Sequence, residues 1–547
     1  MKPVRLVKGF LTVGFWTLVS RVAGLVRDIF LARYLGDGTV AQAFVVAQSL
    51  PNMFRRFFAE GAFNFAFVPM FAKKVEAGED AGAFARDAFW GMAGFLAVFS
   101  ALAIIFMPGL VFLMASGFVG DERFDVAVTL GRIAFAYILF ISLTALLSGM
   151  LNAAGKFVIT SIVSVLLSLT MIGGMILANR MGWDMGRTLA WSVTVSGVLQ
   201  LLATWAAVRH LGYRLPFRWP VLTPDLKRLA VIAAPAVLAG GVVQVNLIVG
   251  RQIASMTEGA VVWLYNADRI YQLPLGVVGI AIGIVLLPDL SRRLRAGDDD
   301  GSRASFNRGT EFALLLTLPA AVALMVIAWP IISVLFQRGE YGPEATANTA
   351  FALAAYGAGL PAFVLHKVLQ PLFYAREDTT SPFRYAVWSM MVNAVLALAL
   401  LPLIGWLAAA VATTVSAWVM VWQLWRGSRT MGDAARLDDR FIARVPRIVA
   451  ASALMGLVLW ALSVVLAGPL ATPGIRTAVR TGDTPGTARA LMRRHPPHIL
   501  VTTPESLALL LSYPDLPEHW LGLRHLVVDE WHELLGNKRG VLLQLCL

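Results

Sequence analysis

Apolar runs of roughly 20 residues recur along this chain from near residue 10 to near residue 468, separated by short polar breaks. As helix, such a run spans the roughly 30 Å hydrocarbon core of a bilayer. "FLAVFSALAIIFMPGLVFLM" (95–114) is a clear instance. About thirteen spans are counted by this criterion of roughly 20 residues. The 547-residue chain is 58% hydrophobic and 14% charged, with a mean hydropathy of +0.70. Soluble domains are nearer half apolar and a quarter charged. The expectation is an all-α polytopic membrane protein. "MKPVRLVKGF" leads into the first span without a small-residue cleavage site, so no cleaved signal peptide is expected. The single cysteine, Cys546, excludes an intrachain disulfide framework and a multi-Cys metal site.

The net charge of +13 suggests a nucleic-acid partner until its placement is read. Basic residues fill every second loop: Lys73 and Lys74, Lys156, Arg209 to Arg228, Arg292 to Arg308, Arg376 and Arg384, and Arg426 to Arg447. Intervening loops such as "YLGDGTVAQ" and "ASMTEGAVV" are nearly free of them. This is the positive-inside pattern, and it puts the amino terminus in the cytoplasm. The basicity is topological, and no nucleic acid is expected as a partner; a monomer among membrane lipids is.

The chain also holds a weak copy of itself. Pro69 and Pro288, Asp80 and Asp299, and the dipeptides Ala136-Tyr137 and Ala355-Tyr356 are each 219 residues apart. "LNAAGKF" near 151 and "FYAREDTTSPF" near 373 follow with a small gap. Six spans separate the copies, and an even number preserves orientation, so the halves form a parallel repeat about an axis along the membrane normal. The expected division is a six-helix lobe over 1–220, a second over 221–430, an extra helix over 431–471 and a tail over 472–547.

Ionisable residues interrupt the early spans of both halves. Arg21, Arg27 and Asp28 lie in the first, and Arg55, Arg56 and Glu60 in the second. Arg251, Asp268, Arg269 and Lys367 lie in the second half. Each such charge at the centre of a membrane helix costs about 2.5–3.5 kcal/mol on the insertion scale. Helical geometry puts Arg21 and Asp28 on nearly one face, and Arg56 and Glu60 at an i,i+4 spacing. Arg27, Arg55 and Arg269 have no evident local acid and are expected to meet an anion. The competing reading is snorkelling, or ion pairs between lobes. A cationic cavity would suit a phosphate or pyrophosphate headgroup, which guanidinium forks bind in a bidentate manner.

"SRVAGLVRD" (20–28), "LPNMFRRFFAEGAFNFAFVP" (50–69), "YNADRIYQLPLGVVGIAIGIVLLP" (265–288), "LFQRGEY" (335–341) and "YAREDTTSP" (374–382) resemble the signatures of the MurJ/MviN lipid II flippases. The resemblance covers residues 1 to about 468. It implies a two-lobed exporter fold of the multidrug/oligosaccharidyl-lipid/polysaccharide superfamily in a bacterial inner membrane. It further implies outward movement of an undecaprenyl-pyrophosphate-linked peptidoglycan precursor, with no bond made or broken and no cofactor. The family's functional arginines fall on Arg21, Arg27, Arg55 and Arg269, with Asp28 and Glu60 in the same motifs. Where the family often has acids, this chain has Gln42 and Gln272. The family usually has fourteen spans, one more than is counted here. The alternatives are an exporter of another polyprenyl-linked glycan and, from a different class, a nucleic-acid-dependent ATPase.

That last alternative comes from the tail. From about residue 472 the chain becomes rich in Arg, His and Pro, and "LRHLVVDEWHELLG" reads as a buried strand ending in Asp529-Glu530, then a helix. It resembles the DEXH box of ligase-associated, Lhr-like helicases, in which the Asp holds Mg²⁺ and the Glu orients the attacking water. No G-x-x-x-x-G-K-[ST] occurs in the sequence, so nothing of that kind cradles phosphates. A truncated, inactive helicase-like fragment is expected, and the protein is expected to be a transporter rather than an enzyme.

Overall fold

The computed structural model describes residues 6–56, 62–470, 477–480 and 499–502. Glu60, the Arg56–Glu60 pair and Asp529-Glu530 lie outside them. By internal contact the chain divides into two units, residues 1–457 and 458–547.

The first unit is helical, and its helices restate the repeat. The first copy comprises α1 (Leu6–Leu35), α2 (Thr39–Arg55), α3 (Ala62–Glu76), α4 (Ala81–Ile105), α5 (Met107–Met114), α6 (Glu122–Ala134), α7 (Tyr137–Ala153), α8 (Phe157–Met181) and α9 (Met185–His210). The second comprises α10 (Pro224–Ser255), α11 (Ala260–Arg295), α12 (Asp299–Val326), α13 (Ala328–Phe336), α14 (Pro343–Tyr374), α15 (Thr380–Ile404) and α16 (Ala408–Ser428). α3 and α11 end 219 residues apart, whereas α8 and α9 begin 223 residues before α15 and α16, so the expected gap lies between α7 and α8. Packing repeats as well: α1 lies on α8 as α10 lies on α15, α2 on α6 as α11 on α14, and α8 on α9 as α15 on α16.

The copies differ where the motif arginines sit. α11 is continuous over the stretch where the first copy has α2 and α3, and α2 ends at Arg55. Pro51 is one turn before that end, and the C-terminal dipole of a helix favours a cation in its last turn. A second difference corrects one landmark. Asp80 caps α4 by accepting from the Ala83 N–H at 2.8 Å, and its counterpart on α12 is Asp298, which accepts from Gly301 N–H at 2.8 Å. The loop is one residue shorter in the second copy, so Asp299 sits inside α12 rather than at its cap.

Eight helical stretches among the described residues are long and apolar enough to cross a membrane, one of them holding both α15 and α16. The last, Asp439–Val465 in α17 (Asp439–Leu470), has only 11% of its most apolar window buried, as a lipid-facing helix would. At its base Glu311 of α12 accepts from Arg308 at 2.6 Å and from Arg444 of α17 at 2.7 Å.

In the second unit, β1 (Thr477–Arg480) and β2 (Ile499–Thr502) pair in parallel, with Thr477 opposite Ile499 and Arg480 opposite Thr502. Parallel neighbours need a crossover of a dozen or more residues, which the intervening 481–498 supplies in length.

Candidate substrate cavity

α1, α2, α7, α8 and α9 of the first copy and α10 and α11 of the second enclose a cavity of about 720 Å³. Of the intramembrane charges named from the sequence, Arg21, Arg27, Asp28, Arg55, Arg56, Arg251, Asp268 and Arg269 line it. Six guanidinium groups therefore share the wall with two carboxylates. Among the described residues of that set Lys367 is the exception: it is exposed on α14 and is not part of the lining.

The expectation that Arg27 and Arg269 lack an acid is overturned. Asp28, 1% exposed, accepts from Arg27 Nη2 at 2.7 Å and Nε at 3.0 Å, and pairs through its other oxygen with Arg269 Nε at 3.2 Å. The Tyr265 hydroxyl donates to Asp28 at 3.3 Å while accepting from Arg269 Nη2 at 2.9 Å. The Arg269 guanidinium also stands over the Tyr265 ring at 4.9 Å. Asp28 is on α1 and Arg269 on α11, so this is an ion pair between lobes. One carboxylate still faces two guanidinium groups. Tyr265 was in a quoted motif, but nothing in the sequence marked it as the bridge.

Arg21 does not pair with Asp28 despite the shared face. Its Nη1 donates to the Gln272 carbonyl at 3.2 Å, and its guanidinium lies against Gly276, where an added Cβ would meet Nη1 at 2.2 Å. Gln272, in the place of a family acid, donates through its amide to Asp268. Arg251 Nη1 donates to the Val261 carbonyl at 3.1 Å.

Beyond the lining residues of α1, direct contacts between the copies close the far end of that helix. The Glu340 N–H donates to the Arg33 carbonyl at 3.0 Å. Gly36 and Gly339 both have positive φ, and a Cβ on either would strike backbone: Glu340 O at 2.5 Å or Arg33 O at 2.1 Å. Trp263 Nε1 donates to Asp37 Oδ2 at 2.7 Å. Nearby, Gln252 Oε1 of α10 accepts from the Ser116 N–H at 2.9 Å. The "LFQRGEY" motif thus supplies the closure rather than the cavity. Gln42, the other residue replacing an acid, accepts from Arg123 at 3.1 Å. The backbone N–H of Arg123, with help from its guanidinium, holds the Asp121 carboxyl below the usual carboxylate range.

Two repeat-related helical lobes with a charged cavity between them define the fold class, which is that of solved transporters of the MOP superfamily. An inward-facing multidrug resistance MATE family transporter of that superfamily superposes with a TM-score of 0.64 at 12% identity, over 78% of this chain and 98% of that one. Within that class, the chain belongs to the lipid II flippase MurJ family, whose model matches residues 31–473. The match ends next to the composition change at 472. Probable lipid II flippases MurJ of Rhizobium tropici and Rhizobium meliloti are 46% and 45% identical. The aligned regions cover 77% and 85% of this chain, and 80% and 88% of those proteins. A solved structure of lipid II flippase MurJ in an inward closed conformation has a TM-score of 0.68 at 23% identity, covering 84% of this chain and 99% of that one.

Proposed function

We propose that this protein is a lipid II flippase that carries the lipid-linked peptidoglycan precursor outward across the inner membrane, by alternating access of the cavity between its lobes. The observation that carries the reading is the excess of guanidinium over carboxylate in the wall, at the boundary of two repeat-related lobes. A pyrophosphate offers each guanidinium a bidentate acceptor, and it would compete with Asp28 for Arg27 and Arg269. Loss of the Asp28–Arg269 pair to the substrate would then loosen a tie between the lobes. With the amino terminus cytoplasmic, as the loop charges suggest, the contacts of Arg33, Gly36 and Asp37 close the periplasmic side, and the cavity faces the cytoplasm to load. The polyprenyl tail stays in lipid throughout, and no bond is made or broken.

The lobes in this reading are residues 1–220 and 221–430, with 431–471 an added helix and 472–547 a helicase-like fragment without a transport role. The protein acts as a monomer and has no nucleic-acid partner. Arg21, Arg27, Arg55 and Arg269 bind the headgroup; Asp28, Arg56, Glu60 and Asp268 adjust the field around it, and Lys367 contributes from outside the wall.

Complementation in cells depleted of their own flippase tests this. Arg21→Ala, Arg55→Ala and Arg269→Ala are each expected to abolish growth rescue at normal membrane abundance. The corresponding Lys variants should rescue partly, because a point charge lacks the bidentate fork. Rescue by all three Ala variants at wild-type level would refute the cationic site.

A further inference from the structure

The arginines account for only part of the cavity wall. A stretch of it on α7 and α8 is uncharged: Thr144, Ser148 and Asn152 at successive helical turns of α7, and Ser161, Ser164 and Ser168 along α8. Spacings of three and four residues put each set on one helix face.

This wall belongs to the first lobe alone. At the 219-residue offset of the repeat, Thr144, Ser148 and Asn152 correspond to Phe363, Lys367 and Pro371 of α14. At the 223-residue offset of α8 and α15, the three serines correspond to Arg384, Val387 and Met391. The hydroxyl stripe is therefore not a feature that the shared helical scaffold requires.

Hydroxyls in apolar helices ordinarily bond back to a carbonyl one turn earlier. Ser161 of this stripe, Thr170, Ser192 and Thr310 do so here, at 2.9, 2.9, 2.7 and 2.8 Å. Thr144 does not. It is 3% exposed, it lines the cavity, and its hydroxyl has no hydrogen-bond partner among the described residues. A buried hydroxyl without a partner is unfavourable, and a ligand that supplies one gains affinity and selectivity. The Thr160 hydroxyl donates to Asn152 Oδ1 at 3.1 Å, which ties the end of α7 to α8 and steadies the wall.

We propose that this stripe is a subsite for the uncharged, polyhydroxylated glycan of the headgroup, with Thr144 as a specificity-determining contact. The inference rests on the flippase reading above and deepens it. A cavity of about 720 Å³ falls in the range of sites for drug-sized ligands and exceeds what a pyrophosphate alone fills. Sugar hydroxyls both donate and accept, as do the Ser and Thr hydroxyls that face them, and neither side carries charge. Phosphate at the lobe boundary and glycan in the first lobe would give the headgroup one orientation.

The test measures binding of two lipids to the purified full chain: lipid II, and undecaprenyl pyrophosphate, which lacks the glycan. The triple variant Thr144→Val, Ser148→Ala, Ser164→Ala is expected to bind lipid II on the order of 10- to 100-fold more weakly, the size of a few lost hydrogen bonds, and undecaprenyl pyrophosphate as the wild type does. Thr144→Ser, which keeps the hydroxyl, should bind both as the wild type does, and Thr144→Val alone should lose part of the lipid II affinity. An unchanged lipid II affinity in the triple variant, or equal losses for both lipids, would overturn the subsite. Wild-type protein that binds neither lipid would instead overturn the flippase reading itself.

Discussion

Asp28 is the residue on which the cavity's charge balance turns. It is buried beside Arg27, 5% exposed, and reaches Arg269 on the other lobe. Removing one member of a buried ion pair leaves its partner uncompensated and costs about 3–5 kcal/mol. Asp28→Asn keeps the shape and deletes the charge, so two guanidinium groups then face only amide and phenol. The expected result is a marked fall in thermal stability in detergent, together with loss of the tie between α1 and α11. A variant that melts with the wild type would show that the pair contributes nothing to the closed state. Arg27 looked unpaired in the sequence because its acid is the adjacent residue, and adjacent side chains on a helix do not normally face one another. Arg269 looked unpaired because its acid is 241 residues away. Conversely, the helical face shared by Arg21 and Asp28 was real geometry but decided nothing, since Arg21 turns to the backbone of α11.

At the scale of elements, the closure between the end of α1 and the turn before α14 is made by backbone, and this makes it sensitive to single methyl groups. Gly36 and Gly339 sit at φ +60° and +61°, where any Cβ would overlap the backbone of the facing turn. A side chain there meets both left-handed strain and a carbonyl that cannot swing away. Gly36→Ala and Gly339→Ala should therefore hold this end open, and Trp263→Phe, which removes the bond to Asp37, should weaken it less. Spin labels at Thr39→Cys and Glu344→Cys in a Cys546→Ser background report on it directly, since Cys546 is the only native cysteine. Longer and broader distances are expected in the Gly variants than in the parent. Distances that match the parent's would mean that this contact is not what closes the end.

For the whole molecule, the question is whether the tail takes part in transport. All the cavity arginines precede residue 270, and the family match stops at 473. Deleting residues 472–547 is expected to leave complementation undiminished. The purified intact chain is expected to show no DNA-stimulated ATP hydrolysis, because in the helicase-like reading Asp529 and Glu530 would act on a nucleotide held by a phosphate loop, and the sequence has no G-x-x-x-x-G-K-[ST]. An ATPase signal eliminated by Glu530→Gln would make the tail a working enzyme.

What the sequence determined by itself was whatever local or periodic physics controls. Apolar run length marked the helices, and the 219-residue offset named the two copies before their packing was seen. Intramembrane arginines pointed to the cavity because charge in hydrocarbon demands a reason. The tertiary structure decided the partners. Which acid serves Arg269, that Lys367 stands outside the wall, that "LFQRGEY" closes one end, and that Thr144 joins serines of another helix all depend on how α1, α7, α8 and α11 are brought together. Hydrogen bonds and ion pairs are short-ranged, whereas the residues that make them here lie as far apart as Arg33 and Glu340. Periodicity assigns a side chain to a face of its own helix; only packing determines what that face meets.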